Sequence, residues 1–286
     1  MLFRSKRSNK VFHDHERHPV QKLTLAGALA ISSNTGAIQV GEMLSNDKLH
    51  SYLKKFGVGE KPGSGLPGEE SGKLLDVKDW SGTTAPTVAF GQGYSVTAMQ
   101  ATSVFATIAN DGVRVTPTVV AGISDAAGRY TPSNKQKSVR VVSAETAKKM
   151  RLMMESVVSA SGTAPSAAIP GYRVAGKTGT AQRVDDSCGC YRGYTASFIG
   201  FAPADKPEFV VSVTIQDPKG LHWGGYLGGP VFKKVMSFVL KDQHIPPTAP
   251  ATFTYALNEE DLKARIAAQA ADKKNSSNQL RVQSNG

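Results

Sequence analysis

Gly171-Tyr-Arg-Val-Ala-Gly-Lys177-Thr178-Gly179-Thr180-Ala-Gln182 decides how this chain is read, because it satisfies two incompatible patterns. From Gly171 to Thr178 it spells G-x-x-x-x-G-K-T, the spacing of a loop whose backbone amides cradle nucleotide phosphates. From Lys177 onward it spells K-T-G-T, which serine acyl-transfer sites carry on a strand. The first pattern makes Lys177 a phosphate ligand at the start of a helix. The second places it on a strand beside a covalent reaction centre.

The neighbours favour the strand. A phosphate loop needs an apolar strand before it and a helix whose N-terminus begins at its lysine. Ala164-Pro-Ser-Ala-Ala-Ile-Pro170 offers two prolines and no strand, and Gly179, Asp185, Asp186 and Gly189 follow where the helix would run. Those residues are poor helix formers. The run Val210-Val-Ser-Val-Thr-Ile-Gln-Asp217 imitates a strand ending in a magnesium-binding Asp, and it keeps a phosphate-loop nucleotide hydrolase as a remaining alternative.

At 286 residues, 40% of them hydrophobic, the chain is long enough for a sizeable core. No apolar run approaches the roughly 18 residues of a membrane span. Arg4, Lys6, Arg7 and Lys10 lead into no apolar stretch, so the start is not a signal peptide. The net charge of +11 suits nucleic acid, anionic lipid or an acidic polymer such as cell wall. No zinc finger, RNA-binding aromatic motif or basic zipper accompanies it, so no nucleic-acid partner is expected.

Cys188 and Cys190 lie one residue apart in Asp185-Asp-Ser-Cys-Gly-Cys190. That spacing rarely meets disulfide geometry, and a metal would need further ligands, so the expectation is a loop with incidental thiols, with a loop-tip metal or redox site as the lesser alternative. His13, Asp14, His15, Glu16 and His18 resemble a metal cluster, but their spacing fits no zinc motif. A solvated or partner-facing segment is expected there. No metal and no cofactor is implied anywhere.

Periodicity organises the rest. Residues 23–31 are apolar and alanine-rich and predict a buried helix, and apolar residues recur at helical spacing from Gly36 to Phe56. Residues 60–88 read as an irregular surface excursion. Thr97 is placed to cap a helix that stops at Asn110-Asp111-Gly112, and another helix begins after Ser143. The period then becomes that of strands at Tyr172–Ala175, Thr195–Ala202 and Glu208–Gln216, the last two joined as a hairpin through Pro203–Pro207. Pro230 is placed to open a helix running through Val239. Beyond Pro247, residues 258–272 suit a surface helix and 273–286 suit disorder.

Taken in order, Ser32-Ser33-Asn34 (an S-x-N element), Phe90-Gly-Gln-Gly-Tyr-Ser-Val-Thr97, Ser161-Gly-Thr163, Lys177-Thr-Gly-Thr180 and Gly224-Gly-Tyr-Leu-Gly-Gly-Pro-Val-Phe232 form a set. That set resembles the transpeptidase domain of class B penicillin-binding proteins, most closely the cell-division D,D-transpeptidases, over about residues 12–240. The resemblance implies an α+β fold, an antiparallel sheet flanked by helices as in serine β-lactamases and D,D-peptidases, incomplete at its N-terminus. It implies a basic segment at 1–11, a partial transpeptidase domain at 12–245 and a polar, partly disordered tail at 246–286.

By the same resemblance, Thr178, Gly179 and Thr180, with Ser33, would contact a D-Ala-D-Ala stem peptide of peptidoglycan, or a β-lactam. The Thr180 N–H would be an oxyanion donor. Lys177 would supply positive potential, Ser32 would relay a proton to the leaving amine, and Asn34 would bind the substrate's amide. Division proteins would be partners. Such proteins act outside the cytoplasmic membrane, anchored by an upstream transmembrane helix, for which this chain has no counterpart segment.

The resemblance also implies a nucleophile, the Ser of an S-x-x-K element well ahead of Ser32, whose Lys removes its proton. Only 31 residues precede Ser32, and none completes that element. Ser45-Asn-Asp-Lys48 and Ser51-Tyr-Leu-Lys54 match formally, but they follow the S-x-N element in one polar helix and read as decoys. The expectation is a chain that begins just after the nucleophile, is inactive alone, binds β-lactams without covalent attachment and is marginally stable beside 23–31. The alternative is a catalytically dead module that binds peptidoglycan or a division protein.

Overall fold

The computed structural model describes residues 3–133, 136–185, 187–248 and 255–268. A hairpin of β1 (Arg4–Arg7) and β2 (Lys10–His13) opens the chain, where the sequence suggested only a basic segment. Helix α1 (Leu25–Ala30) follows, then α2 (Asn34–Gly41) and α3 (Asn46–Lys55). The single periodic run expected over 36–56 is thus two helices. It is broken where the Ser45 hydroxyl accepts the Lys48 amide and starts α3 afresh.

The excursion over 60–88 is mostly irregular but contains α4 (Thr84–Ala89). Helix α5 (Ala98–Ala109) starts on the expected Thr97, in a reciprocal capping box with Gln100. The same Gln100 amide donates to the carbonyls of Gly57, Glu60 and Ser71, which pins the excursion to the start of α5. Two small ladders come next: β3 (Val113–Val115) pairs with β6 (Ser138–Arg140), and β4 (Gly122–Ser124) with β5 (Tyr130–Pro132).

Helix α6 (Ala144–Glu155) begins on the Ser143 cap. Its buried Arg151 donates to the Ile108 carbonyl and, at 2.7 Å, to Asp111, so it satisfies orphan groups at the end of α5.

The main sheet is antiparallel, in the order β7 (Ala175–Asp185), β8 (Cys190–Ala202), β9 (Phe209–Gln216). The hairpin through 203–207 is as read from the sequence. β7 and β8 reach much further than expected, with a bulge between Gln182 and Val184. The alternation of β8 builds two cores. Phe198 and Ala202 pack on one face with Phe232, Met236 and Leu240 of α7 (Gly224–Asp242), while Phe201 packs on the other with Ile108 and Met154 from α5 and α6.

Helix α7 starts six residues before Pro230, which sits inside it. The cost of an internal proline falls on the Tyr226 carbonyl, on a turn whose side chain is 69% exposed. The glycines ahead of Pro230 let α7 lie close on the sheet: a Cβ at Gly224 would stand 2.2 Å from the Ser197 carbonyl oxygen. The segment 255–268, helical from 259 to 268, docks back on α1, with the Thr24 amide donating to the Leu257 carbonyl. The disorder expected at 273–286 lies outside the described residues. Among those described, no helix is long and apolar enough to cross a membrane.

Candidate active site

Helix α1 ends in a tight reversal. The Ser32 amide donates to the Leu29 carbonyl and the Ser33 amide to the Ala28 carbonyl, with Ser32 at φ +57°. This is the hydrogen-bond pattern of a Schellman C-cap, with serine in the left-handed position that glycine normally fills. A non-glycine residue there costs about 1 kcal/mol. The reversal therefore holds the Ser32 side chain in a conformation the sequence alone does not favour. Ser32→Gly relieves that strain but deletes the acceptor of the Lys177 ammonium, and a stranded buried donor costs about 1–3 kcal/mol, so a lower melting temperature is expected. An unchanged or raised melting temperature would show that the strain outweighs this contact.

Ser33 starts the next helix. Its hydroxyl is buried, caps the Gly36 amide and donates to Asp14 Oδ2 at 2.8 Å. Expected among the substrate contacts, Ser33 instead turns into the protein and supports the reversal. Asp14, 4% exposed, also accepts from the Thr35 amide (2.8 Å) and Thr35 hydroxyl (3.0 Å), and His18 Nε2 lies 2.9 Å away. The Asn34 side-chain Nδ2 donates to the His13 carbonyl at 3.0 Å. Asp14 and the His13 carbonyl thus buttress the S-x-N turn, whereas His13, His15, Glu16 and Arg17 are exposed, with the His15 ring on that of Trp223.

Opposite stands β7, at the edge of its sheet and paired on one side with β8. No helix begins at Lys177, which removes the context a phosphate loop requires. Lys177 lies across from Ile199, on the face of α5 and α6, whereas Thr178 lies across from Phe198, on the face of α7. A Cβ at Gly179 would stand 2.4 Å from Ser197 Oγ, so a side chain there would require that hydroxyl to turn away.

The Lys177 ammonium donates to Ser32 Oγ at 2.7 Å and to the Thr178 carbonyl and hydroxyl at 3.2 and 3.3 Å. The strand and the S-x-N turn, 145 residues apart, therefore meet through this lysine. Among the described residues no carboxylate pairs with it, and burial pulls its pKa down to about 8. The Thr163 and Thr178 hydroxyls lie 3.0 Å apart, and the Thr163 amide donates to the Ala30 carbonyl at the end of α1. Thr180 Oγ1 accepts the Gly224 amide at 3.3 Å from the first turn of α7.

This geometry joins Ser32, Lys177 and Thr178, with Gly179 and Thr180 further along the same strand, while the Asn34 carboxamide is engaged with the His13 carbonyl and Ser33 turns away to Asp14. It adds Thr163, Gly224 and the supporting Asp14. Ser161-Gly-Thr163 was visible as a motif, but nothing local said that its threonine crosses to the strand. The formal S-x-x-K matches are engaged in α3 itself: Ser45 caps it and the Ser51 hydroxyl donates to the Lys48 carbonyl. The expected free thiols are also corrected, because Cys188 and Cys190 are joined in a disulfide. The β7–β8 turn folds back tightly enough to bring their Cα atoms to 5.2 Å, inside the bridging range.

The edge strand thus carries the Thr178 and Thr180 hydroxyls beside Lys177, whose pKa burial lowers, and the Ser32 hydroxyl faces it from a capped turn. The family model of the penicillin binding protein transpeptidase domain matches residues 3–237, and the chain belongs to that family. It is 37% identical over 243 residues to penicillin-binding protein PbpB of Mycolicibacterium smegmatis, covering 82% of this chain and 38% of that protein. It is 34% identical over 238 residues to the peptidoglycan D,D-transpeptidase FtsI of Escherichia coli, covering 81% and 38%. A crystal structure of penicillin binding protein 3 from Mycobacterium tuberculosis, complexed with aztreonam, superposes with a TM-score of 0.83 at 34% identity, covering 89% of this chain and 59% of that one. The chain thus spans little more than a third of the length of these curated relatives. The similarity begins at residue 3, and so takes in the β1–β2 hairpin that the sequence reading had set apart.

Proposed function

We propose that this chain is the substrate-holding part of a cell-division peptidoglycan D,D-transpeptidase, an enzyme that cross-links stem peptides through a serine acyl-enzyme outside the cytoplasmic membrane. The observation that carries this reading is the 2.7 Å contact of Lys177 with Ser32 behind the open edge of Lys177–Thr180. A peptide ending in D-Ala-D-Ala lies along that edge as an added strand. The Thr178 and Thr180 hydroxyls hold its terminal carboxylate, in the potential of Lys177 and the first turn of α7. The Asn34 carboxamide binds the preceding amide, and the Thr180 N–H serves the oxyanion. Ser32 passes a proton between the leaving amine and Lys177, whose pKa near 8 suits it to both directions. Division proteins are the partner class that goes with the septal relatives.

The nucleophile is a separate matter. No S-x-x-K element lies ahead of Ser32 in these 286 residues. The remaining groups position and polarise but form no covalent bond. Incubated with aztreonam, the 286-residue chain is expected to keep its intact mass while the drug binds reversibly. A stoichiometric mass increase of one drug molecule would show that a serine of this chain acylates, and would overturn this part of the reading.

A further inference from the structure

The Cys188–Cys190 bridge has no place in the function above, and its setting is unusual for a structural crosslink. It joins residues only two apart, so it restrains little of the unfolded chain. It adds little to the folded hairpin either, because the ladder already pairs Val184 with Tyr191 and Asp185 with Cys190 across the same turn. Both cysteines are exposed at the hairpin's tip. Arg183 and Arg192 flank the turn, each facing a carboxylate, Asp217 at 3.9 Å and Asp185 at 3.4 Å. The bulge between Gln182 and Val184 separates this tip from the Lys177–Thr180 segment of the same strand.

We propose that the exposed Cys188–Cys190 bridge is a thiol–disulfide exchange site whose reaction partner is a dithiol. A thiolate of the partner attacks one Sγ, the Cys188–Cys190 bond breaks, and a mixed disulfide forms while the other cysteine leaves as a thiolate that takes a proton from water. The partner's second thiol then displaces the remaining cysteine and closes the partner's own disulfide. Two electrons pass from the dithiol to the bridge. A monothiol stalls at the first step, because the neighbouring cysteine, held one residue away, expels it and recloses the bridge. Exposed bridges are the exchangeable kind, whereas structural ones are shielded.

The test uses the air-oxidised 286-residue chain in native buffer, treated with dithiothreitol or with glutathione at equal thiol concentration, then quenched with iodoacetamide. Intact mass is expected to show both cysteines alkylated after dithiothreitol and the bridge largely closed after glutathione. Because the ladder holds the hairpin without the bridge, hydrogen exchange at Val184, Tyr191, Thr178 and Thr180 is expected to stay within about twofold on reduction. Three outcomes overturn the proposal: thiols already free in the oxidised sample, a bridge that opens only in guanidinium, or opening by glutathione as complete as by dithiothreitol. Cys190→Ser supplies an independent check. Its lone Cys188 is expected to gain one glutathionyl group from oxidised glutathione, and failure to do so also counts against the site.

Discussion

Asp14→Ala is expected to cost about 3–5 kcal/mol of stability, enough to unfold a marginal domain, although Asp14 touches no substrate in this account. The carboxylate is buried: Oδ1 accepts from the Thr35 amide, and Oδ2 accepts from the Ser33 and Thr35 hydroxyls with His18 Nε2 also beside it. Removing it strands several buried donors at once, and each stranded group costs about 1–3 kcal/mol. The loss should be concentrated in the S-x-N turn, because that turn has one strained residue, Ser32, and Asp14 is what over-determines it. Urea denaturation measures the total. Asp14→Asn, which keeps one acceptor oxygen, should recover part of the loss. If Asp14→Ala instead shifts the midpoint by less than the equivalent of about 1 kcal/mol, the buttress described here is not what holds the turn.

Lys177→Met is expected to do the opposite: stabilise the fold and abolish its use. The ammonium is half-buried with no carboxylate partner among the described residues, and burial lowers its pKa from 10.5 to about 8. A lysine with a folded pKa below its unfolded one penalises folding whenever both states are protonated. The penalty is fully present below pH 8 and fades between about 8 and 10.5, where the unfolded chain binds more protons than the folded one. Replacing the side chain by an apolar one of similar length removes that penalty and loses two or three hydrogen bonds, for a net gain at pH 7 of about 1–3 kcal/mol. The difference in stability between wild type and variant should shrink as pH rises toward 10.5. Affinity for a peptide ending in D-Ala-D-Ala should fall about 10- to 100-fold, the worth of one charge-assisted contact. A variant that is destabilised, or that binds the peptide as before, contradicts the role given to Lys177.

These residues also show what a single sequence conveys. The edge strand at Lys177 was legible because its neighbours exclude a helix, and Thr97 as a helix cap because capping is local, although its reciprocal partner Gln100 was not read. What was lost are arrangements made at a distance. Asp14 reads as one more polar residue in a histidine-rich run until the fold brings Ser33 and Thr35 to it. Thr163 gains meaning only when Thr178 lies beside it. The direction of the Ser33 hydroxyl was not legible because a motif gives residue types, whereas where a side chain points depends on the cap it makes. The start of α7 was hidden by four glycines, poor helix formers that are retained where the helix must touch the sheet. The Cys188–Cys190 bridge was discounted on spacing, which says nothing of how sharply a hairpin turns.

The central claim is that the cleft between Ser32–Asn34 and Lys177–Thr180 holds a D-Ala-D-Ala end without forming a covalent bond. The most direct measurement is a nuclear magnetic resonance titration of the isotope-labelled 286-residue chain with a diacetyl-lysyl-D-Ala-D-Ala peptide. The account predicts saturable, reversible shifts centred on the amides of Thr178, Gly179 and Thr180 and on the Asn34 side chain, with the Cys188–Cys190 tip unmoved. Absence of shifts at those four residues at millimolar peptide, or equal shifts with the L-Ala-L-Ala peptide, would contradict it.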